Sequence, residues 1–505
     1  MKFTFLKTGR SIALSTMVAL GCIPAASAQD ALTIAIDPLI TMDPAFARGT
    51  GQDLSILSQL YSSLTTFNPQ GEVVGDLALE WSTKDAKEYT FKLRDGVKFA
   101  DGEPLDAAAV VWNIERMKNP ETKATANTDF NLIESATAVD PTTLVIKTTA
   151  PWVDLPKRMS WFFMLPPKWT ESHNPKVDVN PSGAYNLVDY ELSSHVTLKA
   201  NPDYYGQAPG FKDVTYRVVP NTATRISALK SGEIQASLRI DAVDLDQLKS
   251  LPGYKVGAIG GRRVHVLRFN TNHEATGKLK VRQAINYAIN KELITKTIYR
   301  GLTQPATTQV LNSADSGFNP EMKAWPYDAD KAKALLAEAG YPNGLELTIG
   351  VTGEAGFIQA VQATEAMSAQ LAEVGVKLNI KTVPGNTFVS FLRDKENAPD
   401  MVYLGYVSSS NAQAELMGQF ASTAPYTWGP VPAGYDEAVI AAKTAPDAAE
   451  QVKNVRLAAQ IAADDAMVVY LWPQPQTYAV SDKVEWTIRA DDWVKATDMK
   501  PAAAN

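Results

Sequence analysis

Hydrophobic and polar positions repeat along the chain with two periods. Leu32-Thr33-Ile34-Ala35-Ile36 and Tyr89-Thr90-Phe91-Lys92-Leu93 alternate with period two, the pattern of a strand with one buried face. After turns at Asp95-Gly96 and Asp101-Gly102, the stretch Ala107 to Met117 sets Val110, Val111 and Ile114 on one helical face. The densest patterning lies between 328 and 405. Asp328 precedes a helix with Ala332, Leu335, Leu336 and Ala339 at i, i+3, i+4 and i+7, closed by Gly340 and Pro342. Leu345 to Gly350 follows as a strand. A second helix buries Ala360, Ala363, Met367, Leu371 and Val374 and stops at Gly375. Val376, Leu378 and Ile380 then alternate, and Met401 to Leu404 is an apolar run suited to a buried strand. Strand–helix–strand order with such short connections predicts an α/β fold, a parallel or mixed sheet covered by helices.

The first residues stand outside this pattern. Lys2, Lys7 and Arg10 precede an apolar stretch from Ile12 to Ile23, then Pro24 and Ala26-Ser27-Ala28. This reads as an export signal, residues 1–28, cleaved before Gln29. The apolar stretch falls short of the ~20 residues a membrane helix needs. Cys22 follows Ala19-Leu20-Gly21 and lacks the leucine three positions earlier that marks a lipoprotein signal, so anchoring there is not expected. Loss of Lys2, Lys7 and Arg10 moves the formal net charge from −7 to −10 and leaves no cysteine. No later segment reads as a membrane span, and the expected location is the periplasm.

Composition narrows the function by exclusion. A chain of 505 residues, 45% hydrophobic and 20% charged, has material for several cores and is not disordered. With 48 basic against 55 acidic residues it lacks the charge footprint of a nucleic-acid binder. One cysteine excludes a disulfide framework and a thiolate zinc cluster. There is no glycine-rich phosphate loop, no nucleophile elbow and no paired-histidine zinc motif; His273-Glu274 lacks the second histidine. His173, His195, His265 and His273 are scattered, and no carboxylate pair stands out as an acid/base couple. No cofactor or metal is called for. Binding suits this chain better than catalysis, with an exported hydrolase as the rival class.

Several stretches together resemble one family. The most specific is YTFKLRDGVKFADGEPLD, Tyr89 to Asp106, followed by Val110 and its helix. Met42-Asp43-Pro44, Ser182-Gly183-Ala184-Tyr185 and Asn201-Pro202-Asp203-Tyr204-Tyr205-Gly206 support it. So do Ala228 to Ile234, Val281 to Ile289, and Tyr327 through Gly340-Tyr341-Pro342-Asn343-Gly344. They occur in family order over essentially the whole mature chain. They resemble the extracytoplasmic solute-binding proteins of ABC importers, family 5, the peptide, nickel and opine group. The resemblance implies two lobes joined by a hinge crossed twice. Lobe I would be 29–265 with 485–505, including an extra subdomain at 61–179, and lobe II would be 266–484. A small-molecule solute would bind between the lobes and pass to the membrane permease, the protein itself being a monomer without catalytic activity.

The resemblance also locates two pocket segments. One is Ala45-Phe46-Ala47-Arg48-Gly49-Thr50-Gly51-Gln52; in peptide-binding relatives a glutamate can stand where Arg48 does. The other is Gly405-Tyr406-Val407-Ser408-Ser409-Ser410-Asn411, where such relatives carry Gly-Trp and, three residues on, an Asp for the ligand's ammonium. Here Tyr406 replaces the Trp and Ser409 the Asp. A buried ammonium without an anionic partner is costly. Arg48, Thr50, Ser409 and Ser410 instead offer donors for a carboxylate or hydroxyls, and Tyr406 a ring face. The expected ligand is therefore an opine, a sugar conjugate or another anionic or polyhydroxylated solute, with di- or oligopeptides as the alternative. By composition alone both segments read equally as exposed loop. Arg262, Arg263 and Arg268 flank Val264-His265-Val266-Leu267, where the hinge is expected. Arg263 or His265 is a candidate to face the cleft, with a surface role as the ordinary reading for those two. Trp161-Phe162-Phe163 reads as core.

Overall fold

The computed structural model describes residues 31–39, 41–47, 51–124, 130–250, 252–311, 315, 317–353, 357–407, 416, 420–424 and 427–503. The segment read as an export signal, with Cys22, and the candidate residues Arg48, Thr50, Ser408, Ser409, Ser410 and Asn411 lie outside them.

The apolar periods become the expected elements. The helix Ala107–Lys118 starts at Asp106, whose side chain accepts from the Ala109 N–H at 3.0 Å. Asp328 caps Ala329–Glu338 in the same way, through the Lys331 N–H at 2.9 Å. Leu345–Val351, Ala360–Glu373, Val376–Thr382 and Met401–Val407 then follow in the predicted order.

Ten strands form one mixed sheet. In one half Ala31–Ile36 lies parallel to both Asp213–Val218 and Ala236–Leu238. In the other, Leu345–Val351 lies parallel to both Val376–Thr382 and Met401–Val407. Two long antiparallel strands, Tyr254–Phe269 and Val468–Ser481, join the halves. Their register shifts between Gly260 and Val264 and again between Val264 and Val266. The hydrophobic cores divide at the same place. Val264 to Phe269 and Val468 to Trp472 pack into one core, whereas Tyr254, Val256, Ala479 and Val480 pack into cores on the other side. Gly261 belongs to this shift. A Cβ there would collide with the Gln474 carbonyl oxygen, so only glycine lets the two strands approach.

A separate four-stranded antiparallel sheet, in the order Ala78–Thr83, Glu88–Leu93, Thr143–Thr148, Ile133–Asp140, packs under Ala107–Lys118 around its own core. It is fastened to the first half through buried Asp43, which takes a forked pair of bonds from Arg116 at 3.2 and 2.8 Å and the Ala45 N–H at 2.9 Å.

In the second half Lys291 is only 3% exposed, and its ammonium donates to the Asn286 carbonyl at 3.2 Å. Burial pushes it down to about 7. A buried ammonium with no counter-charge costs stability. Lys291→Met is expected to raise the unfolding free energy at pH 7 by about 1–3 kcal/mol, read from urea midpoints. A lower midpoint would show that the bond to Asn286 outweighs the desolvation.

Candidate functional site

In open α/β sheets, ligands sit beyond the carboxyl ends of parallel strands where the topology switches. Here those ends meet the register shift. Ala31–Ile36 runs into Asp37, which receives hydrogen bonds from Arg225, Arg239 and Gln52. Burial would raise the Asp37 carboxyl, but Arg239 and Arg225 hold it below its ordinary range. Met401–Val407 ends with Gly405, Tyr406 and Val407 paired to His265, Val264 and Arg263.

Arg263 is the pivot of this junction. Its guanidinium donates to the Gly405 carbonyl at 3.2 Å and to Asp492 Oδ2 at 3.3 Å, and lies 5.7 Å from the Phe357 ring centre. Charge-assisted bonds of this type are usually ~2.7–2.9 Å, so the grip on Asp492 is loose. Among the described residues, Arg263 Nε and Asp492 Oδ1 are buried without hydrogen-bond partners, as are Gln474 Nε2, both side-chain polar atoms of Gln476, and Thr477 Oγ1. Each such atom costs ~1–3 kcal/mol unless something completes its hydrogen bonds. The junction thus holds uncommitted donors and acceptors around one guanidinium, a setting for a solute with carboxylate and hydroxyl or amide groups. A Cβ at Gly405 would lie 2.8 Å from Arg263 Cδ and 2.9 Å from Phe357 Cε1, so this glycine makes room for both.

The other candidates fall in different places. Tyr406 is 8% exposed; its hydroxyl accepts from Arg268 at 2.9 Å and its ring stands edge-on to Phe420 at 5.3 Å. Strand alternation puts Tyr406 on the opposite face of the sheet from Arg263, so the two do not meet. Surface placement of Arg263 and His265 is corrected, and the neighbouring arginines share the burial. Arg262 and Arg268 are buried and Arg263 nearly so, because a strand covered on both faces leaves no route to solvent and fixed acceptors are supplied instead. Arg268 donates to Thr427 Oγ1 at 2.8 Å as well, and Arg262 sits over Phe67. His265 is fully buried, held between the Tyr403 hydroxyl and Gln474 Oε1, and burial pushes it down to about 3. A neutral imidazole donating from Nε2 to Gln474 and accepting at Nδ1 fits both partners. Phe162 and Phe163 are core as expected, and the Trp161 ring lies 6.3 Å from Trp493, next to Asp492.

Asp492 and Phe357 carry no sequence signal. Asp492 meets Arg263 across 229 residues, and its one local oddity, a φ of 67°, is invisible in the sequence. Among the described residues no acidic, histidine or cysteine cluster could hold a metal, and no helix is long and apolar enough to cross a membrane.

This architecture is that of the two-lobe periplasmic binding proteins. Residues 72–428 match the bacterial extracellular solute-binding proteins, family 5 Middle, and the chain belongs to that family. The glutathione-binding protein GsiB of Pectobacterium atrosepticum is 27% identical over 428 residues, 83% of this chain and 82% of the relative. The Helicobacter pylori periplasmic binding protein DppA, solved with the peptide STSA, superposes with a TM-score of 0.80 at 24% identity, covering 93% of this chain and 98% of that one. MoaA of A. tumefaciens R10, solved with mannopinic acid, gives 0.81 at 25% identity over 94% of this chain and 100% of that one. The resemblance in the sequence and the two-lobe α/β fold it implied both hold.

Proposed function

We propose that this protein captures a small anionic or polyhydroxylated organic solute, opine-like or a sugar conjugate, between its lobes outside the cytoplasm and delivers it to the permease of an ABC importer, acting as a monomer and without catalysis. The lobe boundaries are drawn at 260–264 on the outward strand and 473–475 on the return, earlier than the expected 484, because 475–481 pair within the first half of the sheet. One observation carries the ligand reading: both pocket segments adjoin the Arg263–Asp492 pair. Gly51, the first residue after Arg48–Thr50, would place a Cβ 2.7 Å from the Asp492 carbonyl oxygen, and Val407, the last before Ser408, pairs with Arg263. Arg48, Thr50, Ser409 and Ser410 are proposed as ligand donors together with Arg263, with Tyr406 lending support from the opposite face. The mannopinic acid in MoaA is an acidic, polyhydroxylated solute, which favours the same class, whereas the glutathione named for GsiB is acidic but itself a peptide and fits either reading. A peptide is the second reading, favoured by the STSA complex of DppA.

Native mass spectrometry of freshly purified protein, then thermal shifts with mannopinic acid, glutathione, sugars and neutral dipeptides, tests this. A true ligand at a hundredfold excess over Kd is expected to stabilise by about 2.7 kcal/mol. Strong shifts with neutral dipeptides and none with the acidic or polyhydroxylated solutes would overturn the reading in favour of peptides.

A further inference from the structure

Away from the lobe junction, the first half of the molecule carries a second cavity of about 870 Å³. Its walls come from the end of the helix Gly51–Leu60, the loop 204–210 and the segment 478–500, and no residue between 264 and 473 lines it. The volume lies within the range of sites that hold small organic molecules.

The charges lining this cavity are unevenly committed. Asp76 accepts from the Tyr205 hydroxyl at 2.6 Å and the Ser63 N–H at 2.8 Å. Glu485 pairs with Lys500 at 2.9 Å, and Asp498 accepts from Arg489 at 3.3 Å. Lys495 has no hydrogen bond or ion pair among the described residues; the Trp493 ring centre lies 5.9 Å from its ammonium. Burial and the nearby Arg489 push that ammonium below its ordinary range, and the nearby carboxylates of Asp498, Asp76 and Asp491 only partly offset them. On the same wall Trp486 Nε1 is buried without an acceptor among the described residues, and its ring stands edge-on to Tyr478 at 6.3 Å. The cavity therefore offers an ammonium and an indole N–H whose hydrogen bonds are unfilled among the described residues, beside an aromatic wall.

We infer that this cavity is an accessory binding site for an aromatic carboxylate, its anion held by Lys495 and its ring packed against Tyr478 and Trp486. The site is separate from the interlobe cleft and takes a different chemistry, one acidic group on a flat apolar body rather than a hydroxyl-rich solute.

The photoreactive aromatic acid 4-benzoylbenzoate is a direct probe. Calorimetry on the full exported chain is expected to show one equivalent bound. Irradiation followed by peptide mass spectrometry is expected to place the label in 58–69, 204–210 or 478–500. Lys495→Met, checked for folding by circular dichroism, is expected to weaken binding about tenfold or more. The label position in the unmodified protein stands whether or not that variant folds. Labels at 263, 405–411 or 492, unchanged affinity in folded Lys495→Met, or no binding at roughly 1 mM would overturn the inference. Failure here leaves the cleft reading untouched, since that rests on the solute panel.

Discussion

Arg263→Met is expected to lower the unfolding free energy by about 3–5 kcal/mol and to abolish solute binding in the cleft. The stability loss follows from what the substitution leaves behind. Asp492 is 4% exposed, and Arg263 is its ion-pair partner. Removing the guanidinium strands a carboxylate in the interior, which costs far more than the loose 3.3 Å contact itself is worth. The double variant Arg263→Met/Asp492→Asn separates the two effects. Asparagine tolerates the left-handed φ of 67° at this position and carries no charge, so most of the stability should return. Binding should not return, because the amide cannot supply the missing cation. Urea unfolding and thermal shifts with the solute found by native mass spectrometry read the two quantities independently. A single-variant loss under about 1 kcal/mol would show that the pair does not balance a buried charge. Recovery of binding together with stability in the double variant would make Arg263 a purely structural residue.

Elements whose signal is local were legible in the sequence, and residues whose meaning lies in a distant partner were not. Ala107–Lys118 was readable because its cap, Asp106, and its buried face, Val110 and Ile114, lie within one short window. The family motifs gave the two lobes in the same way. Met42-Asp43-Pro44 was readable as a motif, but its physical role was not: Asp43 clamps Arg116 from 73 residues away and so fixes the start of the segment that carries Arg48. The arginines show the same limit from the other side. Nothing near Arg268 announces that Tyr406 and Thr427, 138 and 159 residues distant, will receive its guanidinium. Tyr406 was read as a ligand-facing residue beyond the strand that starts at Met401, whereas it lies within that strand, and which face it occupies depends on pairing register, since one residue of register inverts every face.

Acid stability should turn on His265. Its folded-state value lies at about 3, against about 6.5 when exposed in the unfolded chain, and burial is the main cause. Between those limits the unfolded state takes up a proton that the folded state refuses. Stability attributable to this residue is therefore complete above pH ~6.5 and falls by ~1.4 kcal/mol per pH unit below it, about 3 kcal/mol by pH 4.5. Lys291 acts in the same direction at higher pH. Its folded-state value of about 7 lies below the ordinary 10.5, so stability rises with pH between those values. His265→Gln isolates the histidine. A glutamine amide can still accept from the Tyr403 hydroxyl and donate to Gln474 Oε1, but it does not titrate. At pH 8 the variant is expected to lose about 1 kcal/mol through imperfect packing, as for a single altered hydrogen bond. Between pH 6.5 and 4.5 its urea midpoint should fall much less than that of the unmodified protein, so that the two curves converge or cross. Parallel curves would mean that the imidazole takes up its proton in the folded state at no great cost, and that other groups govern the acid limb. The convergence would also bear on the cleft, because His265 and Arg263 project from the same face of one strand and Arg263 is itself among the causes that depress His265. In the Arg263→Met/Asp492→Asn protein the loss attributable to His265 should accordingly be smaller and level off at a higher pH, since the imidazole then protonates against one positive charge fewer and its folded-state value moves toward the unfolded one.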